Sequence, residues 1–234
     1  MVQVYVARVD EKVQEKEYDV LYEKASDYRK QKADRLKRQA DKLRSLAAGV
    51  LLDYGLRQYF NLPEEGKPEE ESRGKEPVSN QRKAELRRIQ EEGSSVSFGP
   101  AGKPYIEGVS FNLSHAGIYV AAAIGKEAVG IDVEGGRAPS ERIAARCHPQ
   151  EVHWYESGNQ DKFYRLWTAK ESVMKRDGRG IAMGLDSFSI FSEELKDEIY
   201  SLALDEDYWL SLCTVEAWNE KIHWIEMNEL LEEK

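Results

Sequence analysis

Strand-like segments lie on both sides of the helical stretches, and this order restricts the possible folds more than any other feature of the chain. Val2, Val4 and Val6 alternate with other residues, and a period of two is typical of a β-strand. Strands that precede and follow helices in this way indicate an α+β protein. The other predicted strands cover residues 111–113, 119–124, 129–133, 187–191, 208–215 and 222–225.

The first helical stretch covers about residues 26–60, and its first half is unusually basic. Ser26 is a candidate N-cap, and leucine and valine recur after it at helical spacing. Gly49 and Gly55 weaken the pattern, so the stretch could be two helices. Its basic residues fit either a solvated helix face or a site for phosphate or another anion. They are Arg29, Lys30, Lys32, Arg35, Lys37, Arg38, Lys42 and Arg44.

Residues 62–95 follow the basic stretch and differ from it in composition. Glu, Lys, Arg, Gly, Pro and Ser dominate, and large apolar side chains are few. Such a segment buries too little apolar surface to hold one conformation, so we predict a mobile insertion that the chemistry does not require. Further helices are predicted at about residues 140–156 and 161–176, the second ending before Gly178 as a left-handed cap.

The composition restricts the partners and the compartment. The 34 Lys and Arg residues are outnumbered by 43 Asp and Glu residues, and a net charge of −9 disfavours a globally basic nucleic-acid-binding protein. Two cysteines cannot form a disulfide framework or a cysteine zinc site, and they fit a reducing cytosol. Because neither a signal peptide nor an apolar run of roughly 18 residues is recognised, we predict a cytoplasmic protein that does not bind membranes.

Asp132 and Glu134 form the first motif with a chemical meaning. In a strand the two side chains project to the same side, where like charges repel unless a cation lies between them. Carboxylate oxygens suit a hard cation such as Mg²⁺. The same pattern is also typical of two solvated side chains on an exposed strand.

Glu171 and Lys175 form the second motif, since residues four apart on a helix share a face. One interpretation is a weak surface ion pair, with Phe163 and Trp167 in the core. The other makes Glu171 a third carboxylate on the metal and directs Lys175 towards an anionic substrate.

The third motif is Lys103, in Gly-Lys-Pro, followed by Ser114 and His115 at the end of a predicted strand. Adjacent residues of a strand point to opposite faces, so a Ser–His catalytic pair is not expected. Both side chains can still contact one phosphate-bearing ligand at the strand terminus.

Taken together and in this order, the motifs Gly-Lys-Pro, Phe-Asn-x-Ser-His, Gly-Ile-Asp-x-Glu and Trp-x-x-Lys-Glu-x-x-x-Lys resemble those of the 4′-phosphopantetheinyl transferase superfamily. The length of the chain is similar to that of the larger, monomeric Sfp-type class. The resemblance is specific over about residues 103–181 and looser through the basic stretch.

The resemblance implies a fold of two similar α+β half-domains related by a pseudo-twofold axis, each with a small antiparallel sheet packed on helices. Residues 1–125, with the basic stretch and the insertion, would form the N-terminal half. Residues 126–234, with the metal site, would form the C-terminal half. The coenzyme A site of the family lies between the halves.

The resemblance also implies an enzyme that uses Mg²⁺, or alternatively Mn²⁺. It would transfer 4′-phosphopantetheine from coenzyme A to a serine of an acyl or peptidyl carrier protein and release 3′,5′-adenosine bisphosphate. Asp132, Glu134 and Glu171 match the family's metal ligands, and Glu171, Lys175 and Glu151 are the implied catalytic residues. The implied coenzyme A contacts are Arg29, Lys32, Ser45, Lys103, Ser114 and His115.

Two alternatives stay open at the level of the sequence. A non-catalytic module could bind coenzyme A or a carrier protein, but the complete carboxylate trio and Lys175 argue against it. A nucleic-acid-binding protein could use the basic stretch, but the acidic net charge and the lack of an aromatic-rich basic motif argue against that.

Overall fold

The computed structural model of the chain describes residues 1–9, 15–60 and 108–232, and the backbone of residues 97–98 and 104–105. The predicted insertion at 62–95 and the predicted contact Lys103 lie outside the described residues. In chain order the elements are β1 (Gln3–Arg8), α1 (Glu15–Lys24), α2 (Asp27–Asp34), α3 (Gln39–Tyr59), β2 (Ser97–Phe98), β3 (Pro104–Tyr105), β4 (Ser110–Ala116), β5 (Tyr119–Gly125), β6 (Val129–Gly135), α4 (Glu141–Ala144), α5 (Pro149–Trp154), α6 (Gln160–Asp177), a 3₁₀ helix (Gly180–Met183), β7 (Ile199–Ala203), β8 (Tyr208–Thr214), β9 (Ile222–Ile225) and α7 (Met227–Leu231).

Two sheets form the centre of the fold. The first has the strand order β4-β5-β1-β9 and the second the order β6-β8-β7, while β2 and β3 form a separate ribbon. The described pairs are antiparallel except for β1 with β9, which is parallel. The predicted α+β class with small sheets packed on helices is therefore confirmed, and one parallel pair departs from the antiparallel sheets expected.

The sheets pack face to face, and helices cover their outer faces. Val4 and Val6 of β1 pack in the core between the sheets, together with Ile131 and Leu212 of the second sheet. The other face of the first sheet packs on α1 and α3, and α6 packs on the second sheet. The order of layers is therefore helices, sheet, sheet, helix. No helix of the described residues combines the length and the apolar character needed to cross a membrane.

The basic stretch is two helices, but they separate at residues 35–38 and not at the glycines. Ser26 caps α2 as predicted, accepting a hydrogen bond from the amide of the third residue after it. Gly49 and Gly55 lie inside α3 because larger residues do not fit. A Cβ at Gly49 would lie 2.7 Å from Cγ of Arg29, and one at Gly55 would lie 2.8 Å from Cδ1 of Ile124.

Other local predictions are partly right. The left-handed cap at Gly178 is confirmed, with a φ of 93°, and so are the strands at β4, β5, β6, β8 and β9. Residues 187–191 are described and form no strand, whereas β7 was missed. The helix predicted at 140–156 is two short helices, because Pro149 fits only the first turn of a helix. β6 does not extend the β4–β5 hairpin but starts the second sheet.

Three side chains of β4 accept hydrogen bonds from the backbone of β6 and so join the two sheets. We call these three hydrogen bonds the seam. The residues alternate along β4, so their side chains share one face of the strand. They accept hydrogen bonds from amides on the edge of β6 that does not pair with β8. An edge strand otherwise leaves such amides without protein partners. The bonded pairs are Val129 N with Ser110 Oγ at 3.3 Å, Ile131 N with Asn112 Oδ1 at 2.9 Å, and Val133 N with Ser114 Oγ at 3.2 Å.

The predicted division into residues 1–125 and 126–234 stays a prediction. The strand β9 and the helix α7 come from the C-terminal part of the chain but return to the first sheet. There Ile225 and Leu230 are buried in the same core as the residues of α1 and α3. The end of the chain therefore contributes to the layer that its beginning builds.

Gly130 generates the first prediction, because β6 approaches α6 most closely there. A Cβ at this position would lie 2.0 Å from the carbonyl oxygen of Ser172 and 2.5 Å from the amide nitrogen of Arg176. Since backbone atoms of a packed helix cannot rotate away, we expect Gly130→Ala to lower the free energy of unfolding by about 3 kcal/mol or more. Urea unfolding measures this loss.

Gly158→Ala is the control for this prediction. A Cβ there meets nothing within 4 Å, but the φ of 78° is left-handed, so the expected cost is about 1–2 kcal/mol. Equal losses for the two variants would contradict the close approach of β6 and α6.

Candidate active site

An open pocket of about 280 Å³ lies where the ends of β4 and β6 meet α6. Ser114 faces β6 on one side of its strand, and His115 faces the basic helices on the other, yet both reach the pocket because it lies at the strand end. Six residues predicted from the sequence line the pocket, together with Leu113 and Trp167. The six are Ser114, His115, Asp132, Glu134, Glu171 and Lys175.

Asp132 is at the centre of the polar contacts of the pocket. It is only 4 % exposed, so the interpretation as a solvated strand residue is wrong for this carboxylate. Its Oδ1 accepts a hydrogen bond from Ser114 Oγ at 2.8 Å and pairs with Lys175 Nζ at 2.5 Å. Lys175 Nζ also donates to the carbonyl oxygen of Ile131 at 3.2 Å. The second carboxylate oxygen, Oδ2, is buried and has no hydrogen-bond partner within the described residues.

The hydroxyl of Ser114 uses its full hydrogen-bonding capacity. It donates to Asp132, and it accepts from Val133 N and from Lys175 Nζ at 2.9 Å. A hydroxyl has one hydrogen to donate and two lone pairs to accept with. Ser114 therefore orients Asp132 and Lys175, and in this arrangement it is not available as a nucleophile.

Burial raises the pKa values of all three carboxylates of the pocket, and the charge of Asp132 adds to the effect at both glutamates. Burial raises the pKa of Glu171 to about 7, and the charge of Asp132 adds to the effect. Burial and then Asp132 also raise the pKa of Glu134. Burial raises the pKa of Asp132, against the pull of the Lys175 ammonium and the Ser114 hydroxyl. Because ionisation of all three is unfavourable, this side of the pocket favours an additional positive charge.

The chemistry of the donor atoms fits a hard divalent cation. In the described part of the chain no three His, Cys, Asp or Glu side chains are gathered closely enough to form a ready metal site, and Lys175 neutralises Asp132 instead. Three carboxylates nevertheless line one pocket, and one buried oxygen of Asp132 lacks a partner. Such oxygen ligands are those that Mg²⁺ prefers.

Basic side chains surround His115 on the other side of the pocket. Burial lowers the pKa of His115 to about 4, and the charges of Arg44, Lys175, Lys32 and Arg29 add to this effect. Arg29 is only 7 % exposed. Among the described residues, neither Arg29 nor Lys32 has a carboxylate within salt-bridge distance. A buried charge such as that of Arg29 is costly when no carboxylate of the described residues balances it, so Arg29 and its neighbour Lys32 are suited to bind an anion.

Two further contributors were not predicted as site residues. Arg44 Nη1 donates to the carbonyl of Gly117 at 2.8 Å and so ties α3 to the β4–β5 turn beside His115. Trp167, which one interpretation placed in the core, packs against the cluster that contains Phe163 and also lines the pocket. Its spacing could have shown this, because Trp167, Glu171 and Lys175 follow one another at four-residue intervals on one helix face.

The structure does not bring Glu151 into the pocket, which corrects its predicted catalytic role. Its carboxylate is completely buried and pairs with Lys170 Nζ at 2.7 Å. It also accepts hydrogen bonds from the amides of Ile190 at 2.7 Å and His148 at 2.9 Å. With both oxygens bound away from solvent, Glu151 ties α5 and the 188–190 segment to α6.

Arg29 and Lys32 lie near His115 but are not among the residues that line the pocket. Ser45 does not reach the pocket either. It is completely buried in α3, and its hydroxyl has no hydrogen-bond partner within the described residues. A completely buried hydroxyl cannot touch a ligand bound at the open pocket without movement of the helix.

The Glu151–Lys170 pair generates a prediction. Lys170 is also completely buried, and burial lowers its pKa against the effect of Glu151. Removal of the carboxylate leaves a buried ammonium unpaired, so we expect Glu151→Ala to cost about 3–5 kcal/mol of unfolding free energy. The double variant Glu151→Leu, Lys170→Met should recover most of it, as measured in urea. A loss below about 1 kcal/mol in the single variant would contradict the structural role.

Glu171 generates a prediction on pH. Because burial raises its pKa from 4.5 to about 7, the folded state holds the proton more tightly than the unfolded state. The resulting stabilisation is present below about pH 4.5 and is lost as the pH rises towards 7. Without divalent cations, Glu171→Gln should therefore be more stable than the wild type at pH 8, by about 1 kcal/mol after allowance for solvent screening.

Thermal unfolding at pH 5 and pH 8 checks this expectation. The stability difference between Glu171→Gln and the wild type should shrink at the lower pH. Glu127→Gln, at an exposed position of the β5–β6 turn, is the control and should show no such dependence. A stability difference that does not change with pH would contradict the raised pKa.

Comparison with known proteins agrees with the motifs of the pocket. A family model described as the 4′-phosphopantetheinyl transferase superfamily matches residues 128–216. The 4′-phosphopantetheinyl transferase Sfp of Bacillus subtilis (strain 168) is 30 % identical over 156 residues, which cover 59 % of this chain and 70 % of the relative. The 4′-phosphopantetheinyl transferase ffp of Bacillus subtilis is 25 % identical over 227 residues, which cover 90 % of this chain and 91 % of the relative.

A further 4′-phosphopantetheinyl transferase of Bacillus subtilis is 34 % identical over 142 residues. That alignment covers 51 % of this chain and 63 % of the relative, so it spans slightly less than two thirds of the relative's length. The matched residues 128–216 contain the three carboxylates of the pocket and Lys175.

Proposed function

Because the chain belongs to the 4′-phosphopantetheinyl transferase superfamily and is therefore an enzyme, we propose that it transfers the 4′-phosphopantetheine group of coenzyme A to a serine of an acyl or peptidyl carrier protein. The other product is 3′,5′-adenosine bisphosphate, and Mg²⁺ is the expected cofactor. In this reaction the serine oxygen forms a bond to the phosphorus that bears the pantetheine arm. The bond from that phosphorus to the bridging oxygen of the pyrophosphate breaks, and the serine proton is released.

One observation carries the proposal: three carboxylates line the pocket, and the basic side chains of Arg29 and Lys32, which have no carboxylate within salt-bridge distance among the described residues, lie near His115 at its other side. The cationic side fits the phosphates of coenzyme A, because Arg and Lys bind phosphate oxygens by charge-assisted hydrogen bonds. The acidic side would only repel those phosphates if it were not neutralised. A substrate with several phosphates and a divalent cation therefore fits both sides at once.

Asp132, Glu134 and Glu171 are the residues proposed to hold Mg²⁺. The partnerless Oδ2 of Asp132 and the raised pKa values of the two glutamates support this assignment. Bound there, the cation would supply stabilisation of the negative charge that develops on the leaving phosphate.

Lys175 is proposed to bind a phosphate of the pyrophosphate group. Its ammonium already contacts Asp132, Ser114 and the carbonyl of Ile131, so it is held at the pocket before substrate binds. A lysine can exchange one anionic partner for another by rotation of its long side chain. The hydroxyl of Ser114 is fully hydrogen-bonded. We propose that it holds the side chains of Asp132 and Lys175 in place and does not itself contact coenzyme A.

Arg29, Lys32 and His115 are proposed to bind the 3′-phosphate of coenzyme A. Arg29 is buried with no carboxylate partner among the described residues, and burial together with the nearby cations lowers the pKa of His115. Lys103 stays a prediction on the same ligand, because it lies outside the described residues. The monomeric state and the cytoplasmic location also stay predictions, and size-exclusion chromatography tests the first.

The alternative is a module that binds coenzyme A or a carrier protein without catalysis. Incubation of the protein with an apo-carrier protein, coenzyme A and Mg²⁺, followed by mass spectrometry of the carrier, separates the two. The proposed enzyme adds a phosphopantetheine group to the carrier serine. Binding of coenzyme A with no mass addition to fatty acid, polyketide or peptide carriers would favour the module.

Asp132→Ala is the variant that tests the metal assignment. We expect at least a 100-fold loss of transfer, since a group acting on developing charge is worth about 3 kcal/mol or more. Asp197→Ala, at an exposed position outside the pocket, should retain full activity. Near-normal transfer by Asp132→Ala at limiting Mg²⁺ would contradict the assignment.

The double variant Arg29→Ala, Lys32→Ala tests the basic side of the pocket. Charge-assisted hydrogen bonds to phosphate are worth roughly 1.5–3 kcal/mol each, so coenzyme A should bind at least about tenfold more weakly. The loss should be smaller for dephospho-coenzyme A, which lacks the 3′-phosphate. Calorimetric titration measures both ligands.

The matched control is Arg35→Ala with Lys37→Ala, two exposed cations at the break between α2 and α3. This pair should leave both affinities unchanged. Unchanged binding in the Arg29, Lys32 variant would contradict a phosphate site on this helix.

A further inference from the structure

We propose that Asn112 is a positioning residue for the carboxylate site and that it acts through the backbone of β6. The proposal rests on the function proposed above, because it concerns the same pocket. Asn112 is half-buried in β4, and it is not among the residues that line the pocket. Its side-chain oxygen accepts a hydrogen bond from the amide of Ile131 at 2.9 Å.

The seam holds the backbone amides of the two residues that flank Asp132. Asn112 binds the amide of Ile131, the residue before Asp132, and Ser114 binds the amide of Val133, the residue after it. The carbonyl of Ile131 also accepts a hydrogen bond from Lys175 at 3.2 Å. The two seam bonds therefore fix the segment of β6 that supplies the Asp132 carboxylate and the Ile131 carbonyl that binds Lys175.

The other edge of β6 does not fix this position alone. Ile131 lies opposite Leu212 of β8, so β6 stays in the second sheet when a seam bond is lost. The position of Asp132 relative to β4, which carries Ser114, depends instead on the seam. Groups at a binding or catalytic site have to be held to within roughly 0.5 Å, which makes such support necessary.

Ser110 provides the internal comparison within the seam. It accepts a hydrogen bond from the amide of Val129 at 3.3 Å, three residues before Asp132. Like the bond of Asn112, it joins a β4 side chain to a β6 amide. Neither Val129 nor its two neighbours in the chain line the pocket. If the seam only holds the sheets together, loss of either side chain has the same effect. If Asn112 positions the site, only its loss changes the pocket.

The test compares Asn112→Ala with Ser110→Ala in three measurements. Thermal unfolding measures how much each seam bond contributes to stability, and both variants should melt at a lower temperature than the wild type. Calorimetric titration with Mg²⁺ reports the carboxylate site without any turnover. We expect at least tenfold weaker Mg²⁺ binding in Asn112→Ala and a change below twofold in Ser110→Ala. Amide hydrogen exchange should speed up at Ile131 in the first variant and at Val129 in the second.

Asn112→Asp is the rescue variant, because a carboxylate oxygen can accept the same hydrogen bond from Ile131. It should restore slow exchange at Ile131 and bring Mg²⁺ affinity to within about threefold of the wild type. If Asn112→Ala does not fold, Asn112→Ser takes its place, since serine keeps a polar group but shortens the reach. Equal Mg²⁺ affinities in the Asn112 and Ser110 variants, or no Mg²⁺ binding by the wild type, would overturn the proposal.

A transfer assay on the same proteins separates this proposal from the proposed function. If the wild type modifies no carrier protein but the Mg²⁺ affinities differ as expected, the positioning role stands and the function fails. If the wild type is active and the two variants bind Mg²⁺ equally, the function stands and the positioning role fails.

Discussion

The free edge of β6 is satisfied by side chains of β4, and the rest of the molecule depends on this constraint. A strand edge carries amides that need acceptors, and here Ser110, Asn112 and Ser114 supply them in place of another strand. The pocket lies at the end of the seam, where Ser114 both accepts the last seam bond and lines the pocket. The same hydroxyl of Ser114 that ends the seam also binds Asp132 and Lys175, which joins the architecture to the chemistry.

The pocket separates charges in a way that lowers the stability of the unliganded protein. Burial together with the charge of Asp132 raises the pKa of Glu171, and burial together with nearby cations lowers the pKa of His115. The raised pKa of Glu171 costs stability at neutral and alkaline pH, whereas the lowered pKa of His115 costs stability only at acidic pH, where an unfolded imidazole would be charged. Proteins commonly retain such unfavourable arrangements where a ligand supplies the missing counter-charge. The two sides lie on different layers of the fold, and a phosphate-bearing ligand with a cation would compensate both.

Motifs in the sequence identified most of the pocket, but they did not separate chemical from structural roles. Spacing put Asp132 and Glu134 on one strand face and Glu171 and Lys175 on one helix face, and the resemblance to the family predicted that the two pairs share a site. Glu151 lies near the same motif in sequence, yet its carboxylate is buried against Lys170. Residue type alone cannot distinguish a carboxylate at a pocket from one in a buried ion pair. Asn112 shows the reverse case, since it was part of a motif but its bond to Ile131 is visible only when β6 is placed beside β4.

Local pattern by itself determined the α+β class and most strands, because they depend on periods of two or 3.6 residues along one segment, and a single glycine determined the cap at Gly178. The carboxylates and the lysine of the pocket were predicted from the order of the motifs and their resemblance to the family. Only the tertiary structure decided which sheet each strand joined. It placed β6 in the second sheet and returned β9 to the first, since strand pairing depends on contacts distant in sequence. It also showed that the helices separate at residues 35–38. Gly49 and Gly55 lie inside α3, where close neighbours leave no room for a larger side chain, and they do not mark a turn. Finally, it decided that Asp132 is buried and that Ser114 joins two layers, because burial depends on what packs above a residue.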